Sequence, residues 1–200
     1  KTIMTLEWVH PGLLLIVGAW SLPFLNGRIK RLVMVFLPAV SLVICLQMTP
    51  GVFGEVNFLG QSLVFGQVDQ LSLIFSYVFS TMAFLGMVYA LHLKDDVQHM
   101  AALTYAGGAL GITFAGDFIS LSLFWELIAI SSVILVWRRR RPTAVAAGFR
   151  YLLVHVFGGL LLLAGAVLHW AQTGSLAFGN MESISGSMAW NLILIAFLLN

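Results

Sequence analysis

Glu126 is the residue of this sequence best suited to chemistry. It lies near the middle of the apolar run 118–137 and is the only acidic residue in it. A carboxyl group at the centre of a membrane-spanning helix costs roughly 2.5–3.5 kcal/mol, so such a residue normally faces other helices and marks an ion or proton pathway. Ser122 and Ala129 share its helical face. The alternative is a protonated acid that only hydrogen-bonds a neighbouring helix.

Arg150 and His155 are the next candidates, as partner and relay for Glu126. Arg150 lies about one turn inside the following apolar run, 144–170, where it either pairs with an acid or extends its charge to the membrane surface. His155 is ~7 Å deeper along the same helix. Histidine changes charge near neutral pH, so His155 is either a proton relay or a neutral core residue with one hydrogen bond.

Haem ligation is the rival chemistry, because thirteen residues separate His155 from His169 on one run. That spacing can hold two stacked haems if a second helix carries an equivalent pair. His92 and His99 are seven positions apart and flank a connection, so they do not supply one. We therefore expect no cofactor and no metal. Two alternative functions stay open: a redox membrane subunit that binds haem or quinone, and a non-conducting membrane scaffold. The sequence contains no phosphate-binding loop and no dinucleotide fingerprint.

The composition places these residues in a membrane. Hydrophobic residues make up 60% of the 200 positions and charged residues only 9%, against roughly a quarter in soluble domains. A net charge of +2 gives no reason to expect nucleic acid as a partner. The single cysteine, Cys45, is expected to be a packing residue.

Long unbroken apolar runs predict an all-α, polytopic helix bundle, because a spanning helix needs ~20 mainly apolar residues. We expect one transmembrane domain over 1–200, with Gly107 and Gly111 allowing close helix packing. A glycine-rich outer hairpin is predicted over about 52–66, followed by Asp69 as the N-cap of the next helix. The sequence starts at Lys1 and stops inside an apolar run, so it is expected to be the N-terminal fragment of a longer chain. The sequence predicts about six complete spans and the start of a seventh, at 8–25, 32–48, 71–92, 100–116, 118–137, 144–170 and 189–200.

Loop charges predict the orientation. Eight of the ten basic residues fall in the odd-numbered connections, and the other side carries mainly acids. By the positive-inside rule, the N-terminus is outside and the arginine loop is cytoplasmic. That loop is also the expected contact for anionic lipid. It contains Arg138, Arg139, Arg140 and Arg141.

Several segments together resemble a known family. Residues 115–118, 123–127, 150–152 and 157–159, with 69–73 at the junction after the hairpin, are similar to the antiporter-like subunits of complex I, membrane-bound hydrogenases and Mrp cation/proton antiporters. The similarity is closest to the D-type branch of the Mrp subunits, and the segment around the glutamate is its most specific part.

The resemblance implies a proton- or cation-translocating subunit with two inverted five-helix repeats, working with other membrane subunits on protons and possibly Na⁺. If an enzyme is involved, the chain would at most be the proton-pumping arm of an NADH-quinone oxidoreductase or hydrogenase complex. The expected location is the bacterial inner membrane. The family glutamate corresponds to Glu126, and its usual lysine partner falls near Asn200, which raises the interest of Arg150 and His155.

Overall fold

A computed structural model describes residues 8–58, 60–179 and 185–199 as a helix bundle with one β-hairpin. The described residues do not include Lys1 or Asn200, nor two of the acids that the sequence places on the outer side, Glu7 and Glu182. The helices are α1 (Pro11–Ser21, continued by a 3-10 turn at Leu22–Phe24), α2 (Gly27–Gln47), α3 (Gln70–Ala90), α4 (Asp96–Phe114), α5 (Phe118–Trp137), α6 (Pro142–Thr173) and α7 (Met188–Leu199).

Four helices, α2, α3, α5 and α6, are long and apolar enough to cross a membrane. The sequence predicted six complete spans, and that number is not confirmed. His10 caps α1, which therefore begins at Pro11 rather than at residue 8 as predicted. Together with its 3-10 turn, α1 covers only Pro11–Phe24. Helix α4 packs against α1, α3 and α5, and such an interior helix can carry more polar residues than a lipid-facing one.

Two predicted connections are partly helical in the structure. Helix α2 begins at Gly27, so Arg28, Lys30 and Arg31 occupy its first turns rather than the preceding loop. Helix α4 begins at Asp96. Charged residues continue a helix as readily as apolar ones, so hydrophobicity alone places these starts too late. Helix α6 is also longer than its apolar run and ends at Thr173, where Gly174 caps it with a φ of 73°.

The β-hairpin lies between α2 and α3. Strand β1 (Gly51–Phe58) pairs with β2 (Gln61–Val68) in an antiparallel register from Gly51 opposite Val68 to Phe58 opposite Gln61. Strand β2 contacts α4 and α5. After it, Asp69 and Ser72 form a reciprocal cap at the start of α3, as the sequence predicted for Asp69.

Ion pairs join the helix ends on the side opposite the hairpin. Lys30 Nζ lies 2.7 Å from Asp96 Oδ2, which ties α2 to α4. Arg138 at the end of α5 donates to Asp95, with its Nε 2.7 Å from Asp95 Oδ2. Two of the basic residues expected to set topology therefore also hold helices together.

Candidate functional site

Glu126 faces the backbone of α6. It is eight residues after Phe118, the first residue of α5, which places it about 12 Å along the helix. Its side chain is half-buried. A Cβ atom added at Gly159 would overlap Glu126 Oε1, so the absence of a side chain at Gly159 creates the space that the carboxyl group occupies. Gly158 beside it is also buried.

His155 is the ionisable group brought to Glu126. Its ring is buried one turn before Gly159 on α6, and Nε2 lies 3.3 Å from the Trp125 carbonyl oxygen. A carbonyl oxygen only accepts hydrogen bonds, so Nε2 carries the proton of this contact. Nδ1 is then the nitrogen that can accept a second proton. His155 thus binds the residue that precedes Glu126 on α5, one turn of α6 away from the Gly159 that Glu126 faces.

Aromatic rings fix the position of His155. Trp125 stacks against it with ring centroids 5.7 Å apart, and Tyr151 stacks at 5.5 Å. Phe197 of α7 contacts the Trp125 ring edge-on at 5.4 Å, which joins α7 to the site. Ser132 donates a 3.0 Å hydrogen bond to the Tyr151 hydroxyl. The two titratable groups therefore lie in a largely apolar environment built by α5, α6 and α7.

Arg150 is not brought to Glu126. It is exposed and makes no ion pair with any described residue. It lies nine residues before Gly159 on α6, which separates the two by about 13 Å along the axis. The structure thus joins one of the two expected partners, His155, to the glutamate.

His10 supports the site from the opposite side and was not identified from the sequence. Its Nδ1 accepts hydrogen bonds from Gly12 N at 3.0 Å and Leu13 N at 3.2 Å, capping α1. The ring stacks on Phe124 at 5.5 Å, two residues before Glu126. A polar residue followed by proline at the start of an apolar run is an N-cap signal, and it could have indicated this role.

Asp117 was also missed as a support of the site, since in the sequence it stood out only as part of segment 115–118 of the family resemblance. It is 1% exposed at the start of α5. One carboxylate oxygen accepts from Val64 N at 2.7 Å and from the Ser120 hydroxyl at 2.6 Å. The other accepts from Ile119 N at 2.9 Å and Ser120 N at 2.8 Å. Asp117 therefore fastens β2 to α5 and fixes the height of the helix that carries Glu126.

The two histidines considered for haem each contact a backbone carbonyl. His155 does so at Trp125, and His169 Nε2 lies 3.3 Å from the Ala177 carbonyl oxygen. His169 also packs against Phe118. Over the described part of the chain, no three His, Cys, Asp or Glu side chains cluster as they would around a metal ion.

Comparison with known proteins supports the resemblance seen in the sequence. Residues 115–200 match the family described as NADH:quinone oxidoreductase/Mrp antiporter, TM. Na(+)/H(+) antiporter subunit A1 from strains of Staphylococcus aureus is 32% identical over 121 residues, which cover 57% of this chain and 15% of the relative. These relatives are of the A type, so the expected D-type branch is not supported.

Solved structures share the fold over nearly the whole chain. The archaeal membrane-bound sulfane sulfur reductase gives a TM-score of 0.81 at 22% identity, over 95% of this chain and 33% of that one. An Mrp complex from Dietzia gives 0.77 at 20% identity, over 94% and 22%. Respiratory complex I from Thermus thermophilus gives 0.73 at 19% identity, over 93% and 42%. The resemblance to antiporter-like membrane subunits is confirmed, and the chain spans only a part of each of these proteins.

Proposed function

We propose that this chain, an integral membrane protein with the antiporter-like fold, belongs to a multisubunit complex that translocates protons or other cations, and that Glu126 carries the transferred charge. The observation that carries the proposal is the position of Glu126. Among the described residues of the four apolar spans, Glu126 is the one carboxyl group, and it follows Trp125, whose carbonyl oxygen contacts the ring of His155.

The geometry suggests how the charge is handled. A carboxylate costs least in an apolar site when a cation is near it and most when it is alone. A proton arriving at His155 Nδ1 would favour the ionised form of Glu126, and its departure would favour the protonated form. The two groups can thus exchange charge with each other, and α7 packs on the same site through the contact of Phe197 with Trp125.

The finer features of the proposal follow the family. The chain contributes helices to an inverted repeat, with α1, α4 and α7 also in the bilayer. Na⁺ and H⁺ are the proposed ions, since the relatives from Staphylococcus aureus are described as Na(+)/H(+) antiporter subunits. The proposed location is the bacterial inner membrane, with the hairpin outside. Arg139, Arg140 and Arg141 are exposed and make loose, salt-screened contacts with anionic lipid.

Replacement of Glu126 tests the function. In the complete complex reconstituted into liposomes, Glu126→Gln keeps the size of the side chain and removes its charge, so cation-dependent proton flux should fall to the background level. Glu126→Asp should retain part of it. Glu55→Gln makes the same chemical change at an exposed position of the hairpin and should leave the flux unchanged. Wild-type flux from an assembled Glu126→Gln complex would mean that the residue is structural.

A further inference from the structure

A positively charged cleft lies at the end of the bundle opposite the hairpin, away from Glu126. It has a volume of about 490 Å³ and lies between the first turns of α2 and the connection from α3 to α4. Its cationic lining residues are Lys30, Arg31 and Lys94, and Asp96 is the only carboxyl group among the described residues that line it. The cleft is therefore a place where cations converge on one space.

Two of these three cationic side chains have no acidic partner among the described residues. Asp96 is bound to Lys30 at 2.7 Å, so the one acid of the cleft is already paired. Arg31 and Lys94 are exposed and, like the nearby Arg28, make no ion pair with any described residue. The side chain of Asn26 makes no capping hydrogen bond to the first turn of α2, so the positive end of that helix adds to the field. The complementary ligand is an anion.

An apolar groove continues from the cleft. It has a volume of about 460 Å³ and is lined by Arg28, Arg31, Leu32, Val35 and Leu91. Arg31 and Leu91 line both spaces, so the groove and the cleft adjoin. Leu32 is 69% exposed, on a helix apolar enough to cross the membrane. A free phosphate would use only the cleft, whereas a molecule with an anionic head and a hydrocarbon tail would use both.

We propose that the cleft holds the phosphate headgroup of an anionic phospholipid whose acyl chain lies in the adjoining groove along Leu32 and Val35. This site is distinct from the exposed arginines of the loop between α5 and α6. It bridges α2 to the connection that carries Asp95 and Asp96, so a bound lipid would add to the ion pairs that hold this end of the bundle together. The inference does not depend on the role of Glu126.

Lipid retention measured by native mass spectrometry tests the site. The purified protein is exchanged into mixed micelles with equal amounts of dioleoyl phosphatidylglycerol and dioleoyl phosphatidylcholine. We expect one phosphatidylglycerol per chain to be retained in preference to phosphatidylcholine. Each cation near an anionic lipid surface contributes about fivefold in affinity, so Arg28→Gln/Arg31→Gln/Lys94→Gln should weaken retention on the order of 100-fold. Leu32→Asn/Val35→Asn should weaken binding of dioleoyl but not of dihexanoyl phosphatidylglycerol.

The matched control removes the same charge elsewhere. Arg139→Gln/Arg140→Gln/Arg141→Gln also loses three cations and should still retain one phosphatidylglycerol. Equal loss in both triple variants would overturn the proposal, because general charge attraction would then explain the binding. Unchanged retention in the cleft variant, or full displacement of the lipid by millimolar inorganic phosphate, would also overturn it. If the triple cleft variant does not elute as a single species, the same criteria are applied to the three single variants. Each single variant is expected to bind phosphatidylglycerol about fivefold more weakly.

Discussion

Gly159→Ala tests the contact between Glu126 and α6 directly. The added methyl group would overlap Glu126 Oε1, so either the carboxyl group must turn away or α5 and α6 must separate. Overpacking of this kind costs roughly 1–3 kcal/mol. If that cost falls on the state that transfers charge, the translocation rate should drop by about 5- to 150-fold. Gly86→Ala is the control, because a Cβ at Gly86 meets nothing within 4 Å.

A double-mutant cycle shows whether the overlap itself is responsible. Glu126→Asp withdraws the carboxyl group by one carbon–carbon bond, about 1.5 Å, which relieves the clash with the methyl group introduced by Gly159→Ala. In the Glu126→Asp background, Gly159→Ala should therefore cost less than about twofold in rate. The expected coupling lies in the range of about 0.5–3 kcal/mol seen for residues in contact.

The assay is cation-dependent proton flux in liposomes that contain the complete complex, normalised to the inserted protein. Thermal unfolding of the same samples separates a loss of rate from a loss of folded protein. Two results would refute the reasoning. One is a Gly159→Ala rate equal to that of Gly86→Ala. The other is strict additivity with Glu126→Asp, which would mean that Glu126 does not lie against Gly159 during transport.

Two further predictions concern the ends of the bundle. Burial raises the pKa of Asp95, but the hydrogen bonds from Arg138 and Gln98, together with the charges of Arg138 and Arg140, lower it by more, so the net shift is downward. The ionised Asp95 therefore contributes its full stabilisation above the ordinary aspartate pKa of about 4, and this contribution is lost as the pH falls below that value. The melting temperature of Asp95→Asn should depend less on pH than that of the wild type in this range. The control, Glu55→Gln, should keep the wild-type dependence of melting temperature on pH. Parallel plots of melting temperature against pH for Asp95→Asn and the wild type would contradict this prediction. For orientation, in a Cys45→Ala background, Glu55→Cys should react with an impermeant thiol reagent from outside and Thr143→Cys should not; the opposite pattern would place the hairpin in the cytoplasm.

The sequence alone identifies Glu126 as a candidate, because a carboxyl group in the middle of an apolar run is visible without coordinates. It also identifies His155 as a candidate, since His155 lies on the next apolar run together with Arg150. The roles of both residues stay predictions. Arg150 was included on the same grounds, but spacing along one helix does not say which level of the neighbouring helix each residue meets. That information depends on how α5 and α6 cross, and a single sequence does not contain it.

The residues that were missed act through contacts between distant segments. His10 reaches Phe124 across 114 positions of the chain, and Asp117 reaches a strand that precedes it by 53 positions. Hydrophobicity also placed the starts of α2 and α4 too late, because it reports burial in lipid rather than backbone hydrogen bonding. Asp95, whose side chain caps the start of α4, is a local signal, whereas the supports of the site are contacts between distant segments.

The attachment of the hairpin to Asp117 has a consequence for biosynthesis. Val64 is made 53 residues before its acceptor Asp117, and Phe118 N bonds to the Leu176 carbonyl oxygen made still later. At roughly 5–20 residues per second, the ribosome takes about 3–10 s to supply the acceptor after the strand. During this interval the hairpin has no partner at the start of α5. The insertion of α5 is thus the event that captures the hairpin, and a nascent chain arrested before Asp117 should leave it accessible to protease.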